Sequence, residues 1–380
     1  MRRTPLSRLL PLLALPLLLT ACGGEEPEEV TAEDVDRIEQ AIMNGSETAW
    51  ELVLLERRVG AMCMQDLGFT VNDPHTLSGS VVPDRFTGFA SPYTRIPTVE
   101  QAELFGFGLW PHYLDTPAAE EMREHPELLA FTADDQGWTD PDAEAGHAEF
   151  EAESDEYQEE WSRAFHGDER HEYQEAVSEA VESGADYDEI GLELPPFGGC
   201  ELETITAVYG GPELLEAEDG DYWVKPGPGE SPLTSVGDGE LYTELSASYA
   251  DQEEAFFVCL AEGGYEGFAF DELGWLNTYD FIANGVYDAG FVVELGGEEV
   301  LVPEIPDDVR DEADDQQSLE TAVAVDFARC AQDAGLRDGP EEDWALMYTE
   351  RLIGKETAIL AWQEEIDGYF ANAQAYIEGE

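Results

Sequence analysis

The segment Cys63-Met-Gln-Asp-Leu-Gly68-Phe69 ends a long run of apolar residues at helical spacing, and its pattern recurs twice further along the chain. The counterparts begin at Cys259 and Cys330, and in each a glycine follows the cysteine by five residues and an apolar residue follows the glycine. Glycine adopts the left-handed conformation that ends many helices, and the next apolar residue then folds back on the last turn. The pattern predicts three amphipathic helices that each carry a cysteine on the last turn.

Helical spacing dominates the rest of the chain, and no alternation of strands and helices typical of a parallel sheet is found. Thr31 and Asp34 form a helix N-cap pattern. Alternating apolar residues around Gly296-Gly297 predict a β-hairpin over 291–303. The segment 70–97 reads as a loop or short hairpin. The predicted helices cover 46–67, 98–104, 155–165, 171–183, 200–209, 240–262, 271–287, 307–334 and 341–377, with exposed helical pieces over 115–160.

Glycine, proline and acidic residues are concentrated in one central segment, 211–239, which we predict to be a linker between two helical halves. The halves are an N-terminal one, 31–210, and a C-terminal one, 240–380. Before them, residues 22–30 read as a short acidic tether, and residues 1–21 as a signal peptide.

The signal peptide prediction rests on three features of the first 22 residues. Arginines open the segment, and residues 9–19 form an apolar run too short for a permanent membrane helix, which needs about 20 residues. Leu19-Thr20-Ala21-Cys22 then resembles the lipobox of bacterial lipoproteins. That resemblance implies that Cys22 is lipidated, becomes the new N-terminus and anchors the chain to the outer face of the cell membrane.

The chain also resembles a group of uncharacterised actinobacterial secreted lipoproteins over most of residues 50–335. The resemblance implies no known activity and no known catalytic residue. The residues that carry it are Cys63-Met64 with Phe69, Gly106-Phe107-Gly108, Tyr157, Trp161, Ala164, Gly167, Gly199-Cys200, Ala324, Asp326 and Cys330.

Four cysteines follow Cys22, and an even number in an exported chain is typical of two disulfides. A zinc site of four thiolates is the alternative, but no Cys-x-x-Cys occurs. Of the three possible pairings we predict Cys63–Cys200 and Cys259–Cys330, which follow chain order and leave the linker uncrossed, whereas the other two would tie the halves together. The predicted fold class is therefore mainly α, with two helical halves each cross-linked by a disulfide and minor β-hairpin content.

The charge of the chain is extreme, with 87 Asp and Glu against 17 Lys and Arg and a net charge of −70. Three of those arginines lie in residues 1–21, so loss of the signal peptide would leave −73. Self-repulsion at this charge opposes compaction, and molar salt screens it because the Debye length falls to about 3 Å. Acids spread over the whole chain with only two lysines are typical of halophilic proteins; an acidic cation-binding surface is the alternative. Nucleic acid is a poor partner for such a chain.

Motifs for catalysis, metal binding or cofactor binding are not found in the sequence. Gly-x-Ser-x-Gly, His-Glu-x-x-His, the EF-hand loop and the phosphate-binding Gly-x-x-x-x-Gly-Lys are all missing. His166 and His171 are five residues apart, a spacing that does not place two imidazoles on one helix face. We therefore predict no catalytic residue, no metal site and no cofactor.

Eight tryptophans are the remaining candidates for ligand contact. Trp110 and Trp138 stand in loop-like, polar surroundings, and we predict them to be ligand-binding residues. Four others, Trp50, Trp161, Trp344 and Trp362, lie on apolar helix faces and are predicted to be core residues.

These observations predict a lipid-anchored, non-enzymatic protein that binds a component of the cell envelope. A solute-binding lipoprotein of an importer and a secreted hydrolase with paired carboxylates are the alternatives; a carboxyl with a strongly raised pKa in a Trp-lined cleft would favour the hydrolase. The membrane, contacted through the N-terminal lipid, is the expected partner, and the small-molecule or envelope ligand is not specified by the sequence.

Overall fold

The computed structural model describes residues 30–78, 83, 85–133, 140–184, 194–216, 220–290, 294–295, 298–299 and 304–379. Across these ranges the chain is mainly α-helical, which confirms the predicted fold class. None of the described helices combines the length and the apolar composition needed to cross a membrane. The predicted signal peptide, tether residues 22–29 and Cys22 lie outside the described residues.

Helix α1, Ala32–Asp66, is a single helix of 35 residues that begins at the predicted cap. The Asp34 N–H donates to Thr31 Oγ1 over 3.3 Å, and the Thr31 N–H donates to the Asp34 carboxylate over 3.0 Å. These two bonds satisfy amide groups that the first turn of a helix leaves without partners. The predicted helix from Ser46 is thus the second part of a longer one.

Short helices follow α1, and four of the α-helices described there begin with proline at the first helical position, where its missing N–H has no cost. The helices predicted at 98–104, 155–165, 171–183 and 200–209 are confirmed to within three residues. The described part of 70–97 contains two helical turns and no hairpin. These elements are α2 (Pro74–Ser78), a 3₁₀ turn (Pro92–Arg95), α3 (Val99–Phe105), α4 (Trp110–Tyr113), α5 (Pro117–Arg123), α6 (Pro126–Phe131), α7 (Pro141–Glu151), α8 (Asp155–His166), α9 (Asp168–Glu182) and α10 (Gly199–Tyr209).

Two antiparallel strand pairs and longer helices make up the rest of the described chain. The second pair lies within the hairpin predicted over 291–303, of which residues 294–295 and 298–299 are described. The helix predicted at 307–334 breaks before Asp315, whose side chain caps a new helix, and the one predicted at 341–377 is interrupted by a 3₁₀ turn. These elements are β1 (Glu213–Leu215), β2 (Tyr222–Val224), a 3₁₀ turn (Pro232–Ser235), α11 (Asp238–Glu262), α12 (Thr278–Tyr287), β3 (Glu294–Leu295), β4 (Glu298–Glu299), α13 (Asp307–Glu312), α14 (Gln316–Ala334), α15 (Asp338–Leu352), a 3₁₀ turn (Ile353–Lys355) and α16 (Glu356–Glu378).

The three cysteine-bearing helices end as predicted. At the end of α1 the Gly68 N–H donates to the Gln65 carbonyl and the Phe69 N–H to the Met64 carbonyl, both over 3.0 Å. The same pair of bonds closes α11 at residues 264–265 and α14 at residues 335–336, and each of the three glycines has a positive φ. This arrangement is the Schellman motif, which satisfies the last carbonyls of a helix.

Both disulfides form in the predicted pairing. Cys63 on α1 joins Cys200 on α10 with a Cα–Cα distance of 5.7 Å. Cys259 on α11 joins Cys330 on α14 with a Cα–Cα distance of 5.6 Å. Each disulfide therefore fixes the C-terminal end of a long helix against a neighbouring helix.

The largest core is built from both sides of the predicted linker. Phe107 and Leu109, which follow α3, pack in one cluster with Phe256 of α11, Phe281 of α12 and Phe327 of α14. Aromatic rings in this cluster meet mainly edge to face, as Phe107 and Phe327 do at 5.5 Å. The segment predicted as a linker is thus flanked by helices that share one core.

A second core lies where α1 packs along α16 and α10. Gly45 of α1 faces the Trp362 ring of α16 so closely that a Cβ at this position would lie 2.1 Å from Cζ3. Glycine therefore permits the close approach of the two helices. The Trp362 indole N–H donates to the Gly229 carbonyl over 3.1 Å, which fixes the ring in place.

Candidate functional site

A cleft of about 390 Å³ lies beside the segment 85–95. Its volume falls in the range of about 300–1,000 Å³ that is common for small-molecule sites. Aromatic and small residues form most of its described wall, and the charged residues among the described lining are Arg85, Arg95 and Asp238. Two guanidinium groups therefore lie in the described wall of this cleft, in a chain that is strongly acidic as a whole.

Stacked aromatic rings form the inner wall of the cleft. The Phe89 ring stacks on Tyr348 of α15 with centroids 4.9 Å apart, and Trp344 packs edge-on against Tyr348 at 5.3 Å. The Tyr348 hydroxyl donates to the Asp238 carboxylate at the start of α11. Burial and this carboxylate raise the pKa of Tyr348, so the phenol stays protonated and the wall keeps its geometry.

Trp275 stands at the mouth of the cleft on a turn that precedes α12. Asp271 Oδ1 accepts from the N–H groups of Leu273 and Trp275, both over 2.8 Å, and so closes the turn. The Arg95 guanidinium lies over the Trp275 ring, with its carbon 4.1 Å from the ring centroid. Trp275 remains 43% exposed, so one side of this cation–π pair is open to solvent.

The segment that carries Arg95 is held at both ends. The Phe89 N–H donates to Glu39 of α1 over 2.8 Å. At the other end Arg337 donates to the carbonyls of Tyr93 and Ile96, over 3.1 Å and 2.7 Å. These bonds tie the wall of the cleft to α1 and to the start of α15.

Ser91 lines the same cleft and has an unsatisfied hydroxyl among the described residues. The residue is 1% exposed, and leaving a buried hydroxyl without a partner costs about 1–3 kcal/mol. A polar atom kept in this state beside a cleft is a candidate contact for a bound molecule.

The structure places Trp110 away from any open surface. It begins α4, is 2% exposed, and its indole N–H has no partner within the described chain. The loop-like, polar surroundings expected from the sequence are corrected to a buried helix start, so Trp110 does not offer an open face to a ligand. Trp138, the other predicted ligand-binding residue, lies outside the described residues.

Glu320 of α14 explains why the chain near Trp110 is buried. Its Oε1 accepts from the N–H groups of Phe107 and Leu109, both over 3.0 Å, and its Oε2 accepts from the Tyr287 hydroxyl over 2.5 Å. Gly106 has a φ of 67°, and a Cβ there would lie 2.7 Å from Glu320 Oε1. This glycine lets the loop wrap around the carboxyl group.

Burial raises the pKa of Glu320 to about 7, against its ordinary 4.5, although its hydrogen bonds favour the ionised form. Burial also raises the pKa of Glu56, and the Lys225 ammonium at 2.7 Å opposes that rise. A raised carboxyl pKa is the feature expected of a hydrolase. Neither residue lines the cleft and both are at most 3% exposed, so both belong to the packing of the fold.

The histidines singled out in the sequence face different partners. His166 Nδ1 lies 2.9 Å from Glu201 of α10, and His171 Nδ1 lies 3.0 Å from Ser162 Oγ of α8. Their five-residue spacing thus separates the two imidazoles, as predicted.

Sequence reasoning missed the cleft because four separate segments build it. Phe89, Arg95, Trp275 and Tyr348 are far apart in the chain, and their sequence neighbourhoods indicate loop or core. The local signal that could have revealed part of it is the Asp271-x-x-Gly274-Trp275 turn, which exposes a large ring.

Comparison with known protein families, curated proteins and solved structures finds no match to this chain. The functional argument therefore rests on the chemistry of the cleft.

Proposed function

We propose that this chain is a lipid-anchored binding protein of the cell envelope, and that its cleft holds a small molecule with an aromatic body and an anionic group. The observation that carries the proposal is the Arg95–Trp275 pair at the mouth of an aromatic cleft in a chain of net charge −70. A planar ring can stack among the aromatic side chains, while its anionic group meets the arginine charge.

The cleft favours binding over nucleophilic catalysis. A serine nucleophile needs a base within hydrogen-bond reach. Ser91 Oγ has no such partner among the described residues, and the described lining contains no histidine. The same hydroxyl is available to a polar group of a ligand.

The extracytoplasmic location is supported by the leader-like residues that end at Cys22 and by the resemblance to secreted lipoproteins. Two disulfides also fit an oxidising compartment, because cytosolic thiols are kept reduced. Lipid at Cys22 would hold the cleft close to the membrane, where envelope components pass.

The test is a fluorescence titration of the full chain, in molar salt, with 8-anilinonaphthalene-1-sulfonate, an aromatic anion. We expect binding at one site, displacement by aromatic carboxylates, and no displacement by the matching neutral amides. Replacing Arg95 by alanine should weaken binding by at least about ten-fold, a loss of about 1.4 kcal/mol.

The matched control is Arg58→Ala, since Arg58 is exposed on α1 and does not line the cleft. Equal binding of the probe by the R95A variant and the parent chain would refute the proposal. If neutral amides displace the probe as strongly as carboxylates do, the proposed anionic group of the ligand is contradicted.

A further inference from the structure

A second cluster of side chains lies on the hairpin of α8 and α9, among residues that do not line the cleft. Glu159 of α8 and His171 and Glu175 of α9 bring one ligand atom each to within 4.8 Å of one another. His171 and Glu175 are four residues apart, so they share a helix face, with Nε2 and Oε2 3.4 Å apart. Gly167, at a φ of 80°, turns the chain between the two helices and brings Glu159 alongside.

The state of His171 is what distinguishes this cluster from ordinary surface acids. Its side chain is only 6% exposed, and its buried Nε2 has no hydrogen-bond partner among the described residues. Most buried polar atoms in proteins have a hydrogen-bond partner, so a bound group that contacts Nε2 would satisfy this nitrogen. Two exposed carboxylates stand directly beside it.

The other ring nitrogen of His171 is already held. Nδ1 lies 3.0 Å from Ser162 Oγ, which fixes the orientation of the ring. When the Nδ1–H donates to this hydroxyl, Nε2 carries a lone pair that faces the two carboxylates. Metal-binding histidines are commonly oriented in this way by a hydrogen bond at their second nitrogen.

We infer that Glu159, His171 and Glu175 form a binding site for a divalent transition metal ion of the zinc type. One imidazole and two carboxylates are ligands that Zn²⁺ accepts, and a fourth position would face solvent. Calcium and magnesium prefer oxygen ligands alone, so an imidazole at the centre of the site selects against them. This inference is independent of the proposed function of the cleft.

Arg163 sets the affinity of this site. Its guanidinium donates to Glu159 Oε1 over 3.1 Å and leaves Oε2 as the available ligand atom. Its positive charge also repels a cation, and within the described part of the chain Glu159 forms an ion pair with no other basic group. Replacing Arg163 by glutamine should therefore tighten metal binding.

The test is isothermal titration of the full chain with Zn²⁺ near neutral pH, in a molar salt that does not complex zinc and that screens the surface acids. We expect one Zn²⁺ site in the parent chain. Its affinity should fall by at least about ten-fold in E159Q and in E175Q, because each variant lacks one of the three ligands. R163Q should bind more tightly than the parent chain. Ca²⁺ should not compete.

The matched control is Glu172→Gln on the same helix, since Glu172 also lies near Arg163 but is not in the cluster. E172Q should bind Zn²⁺ like the parent chain. Zn²⁺ should also shift the His171 imidazole resonances in the unmodified chain. Equal affinities for E159Q, E175Q and E172Q, or unshifted His171 resonances at saturation, would overturn the inference.

Discussion

The Arg95 guanidinium and the Trp275 indole lie face to face, 4.1 Å from guanidinium carbon to ring centroid, although 180 residues of sequence separate them. One residue ends the 3₁₀ turn after Phe89 and the other stands on the turn before α12. Their contact joins two segments that otherwise flank the cleft, and it gives the cleft an edge formed by a guanidinium group over an indole ring.

Replacing Arg95 by lysine should weaken binding of the aromatic sulfonate probe almost as much as replacing it by alanine. Guanidinium is planar and stacks on an indole ring, whereas ammonium is a compact charge that keeps its hydration. The measurement is the probe titration of R95K, R95A and the control R58K. Parent-like binding by R95K would show that charge alone, without stacking, is what matters at this position.

Replacing Gly274 by alanine should destabilise the fold and disturb the cleft. The added Cβ would lie 2.5 Å from the Tyr242 ring and 2.8 Å from Pro92 Cβ, at a φ of 80°. Strain and overpacking together should cost about 2–4 kcal/mol.

Gly290 is the control for Gly274, because it has a φ of 72° and open space around its Cα. G290A should cost only the conformational strain of about 1–2 kcal/mol. Urea unfolding of both variants measures the difference. Equal losses of stability in G274A and G290A would mean that the turn at Gly274 can move away from Tyr242 and avoid the overlap.

Replacing Gly45 by alanine should destabilise the packing of α1 on α16, because the new Cβ would overlap the Trp362 ring. We expect a loss of about 1–3 kcal/mol in the free energy of unfolding. Gly368, at an exposed position in the middle of α16, has no described atom within 4 Å of its Cβ position, and G368A should stabilise by up to about 1 kcal/mol. Urea unfolding that shows G45A destabilised and G368A stabilised would confirm the close approach of α1 and α16. Stabilisation by both substitutions would contradict it.

Glu320 should make stability depend on pH. Its pKa is about 7 in the folded chain and near its ordinary 4.5 when unfolded, so the folded state holds the proton more tightly. The stabilisation is fully present below pH 4.5 and is lost as pH rises through about 7, by an amount on the order of 3 kcal/mol.

The measurement is the free energy of unfolding of the parent chain and of E320Q across this pH range. The parent should lose stability relative to E320Q as pH rises. The contribution of Glu56 is the same in both proteins, so it does not affect the difference. E47Q, at an exposed position of α1, is the control and should follow the parent. Parallel profiles for the parent and E320Q would contradict the raised pKa.

His147 and His112 should titrate on opposite sides of the ordinary histidine value of 6.5. The hydrogen bond to Asp73, 2.9 Å from Nδ1, raises the pKa of His147, whereas burial and then Arg123 lower the pKa of His112. The Asp73–His147 bond stabilises the fold below pH 6.5, and this contribution is lost as pH rises through the raised pKa.

Imidazole NMR of the parent chain and D73N measures both histidines at once. Asparagine can still cap α2, so the substitution mainly removes the charge. The His147 pKa should fall in D73N while the His112 pKa stays unchanged, and a His147 value that does not move would rule out the assigned partner.

Local chemistry explains which parts of the fold could be predicted. The helix ends at Gly68, Gly264 and Gly335 depend on residues within six positions of each glycine, so a short pattern suffices to find them. The disulfide pairing followed from chain order. The break before Asp315 is marked by the Asp315–Ser318 cap and by no glycine or proline, so apolar spacing alone does not locate it.

Long-range contacts explain what could not be predicted. Gly106, Gly108 and Pro111 favour a loop around Trp110, yet Glu320 accepts from the Leu109 N–H from 211 residues away along the chain. Glu159 and His171 of the proposed metal site lie on two successive helices, and residue spacing alone does not specify the turn at Gly167 that brings them together.

The order of the disulfides along the chain has a consequence for oxidative folding. An oxidase that joins cysteines in the sequence in which they leave an export channel would form Cys63–Cys200 and then Cys259–Cys330, so the native bonds arise without reshuffling. Cys22 is the one thiol that would break this sequence, because it precedes all four. The lipid proposed on the Cys22 sulfur would prevent this thiol from taking part in thiol–disulfide exchange. Acylation would then also prevent non-native disulfides to Cys22.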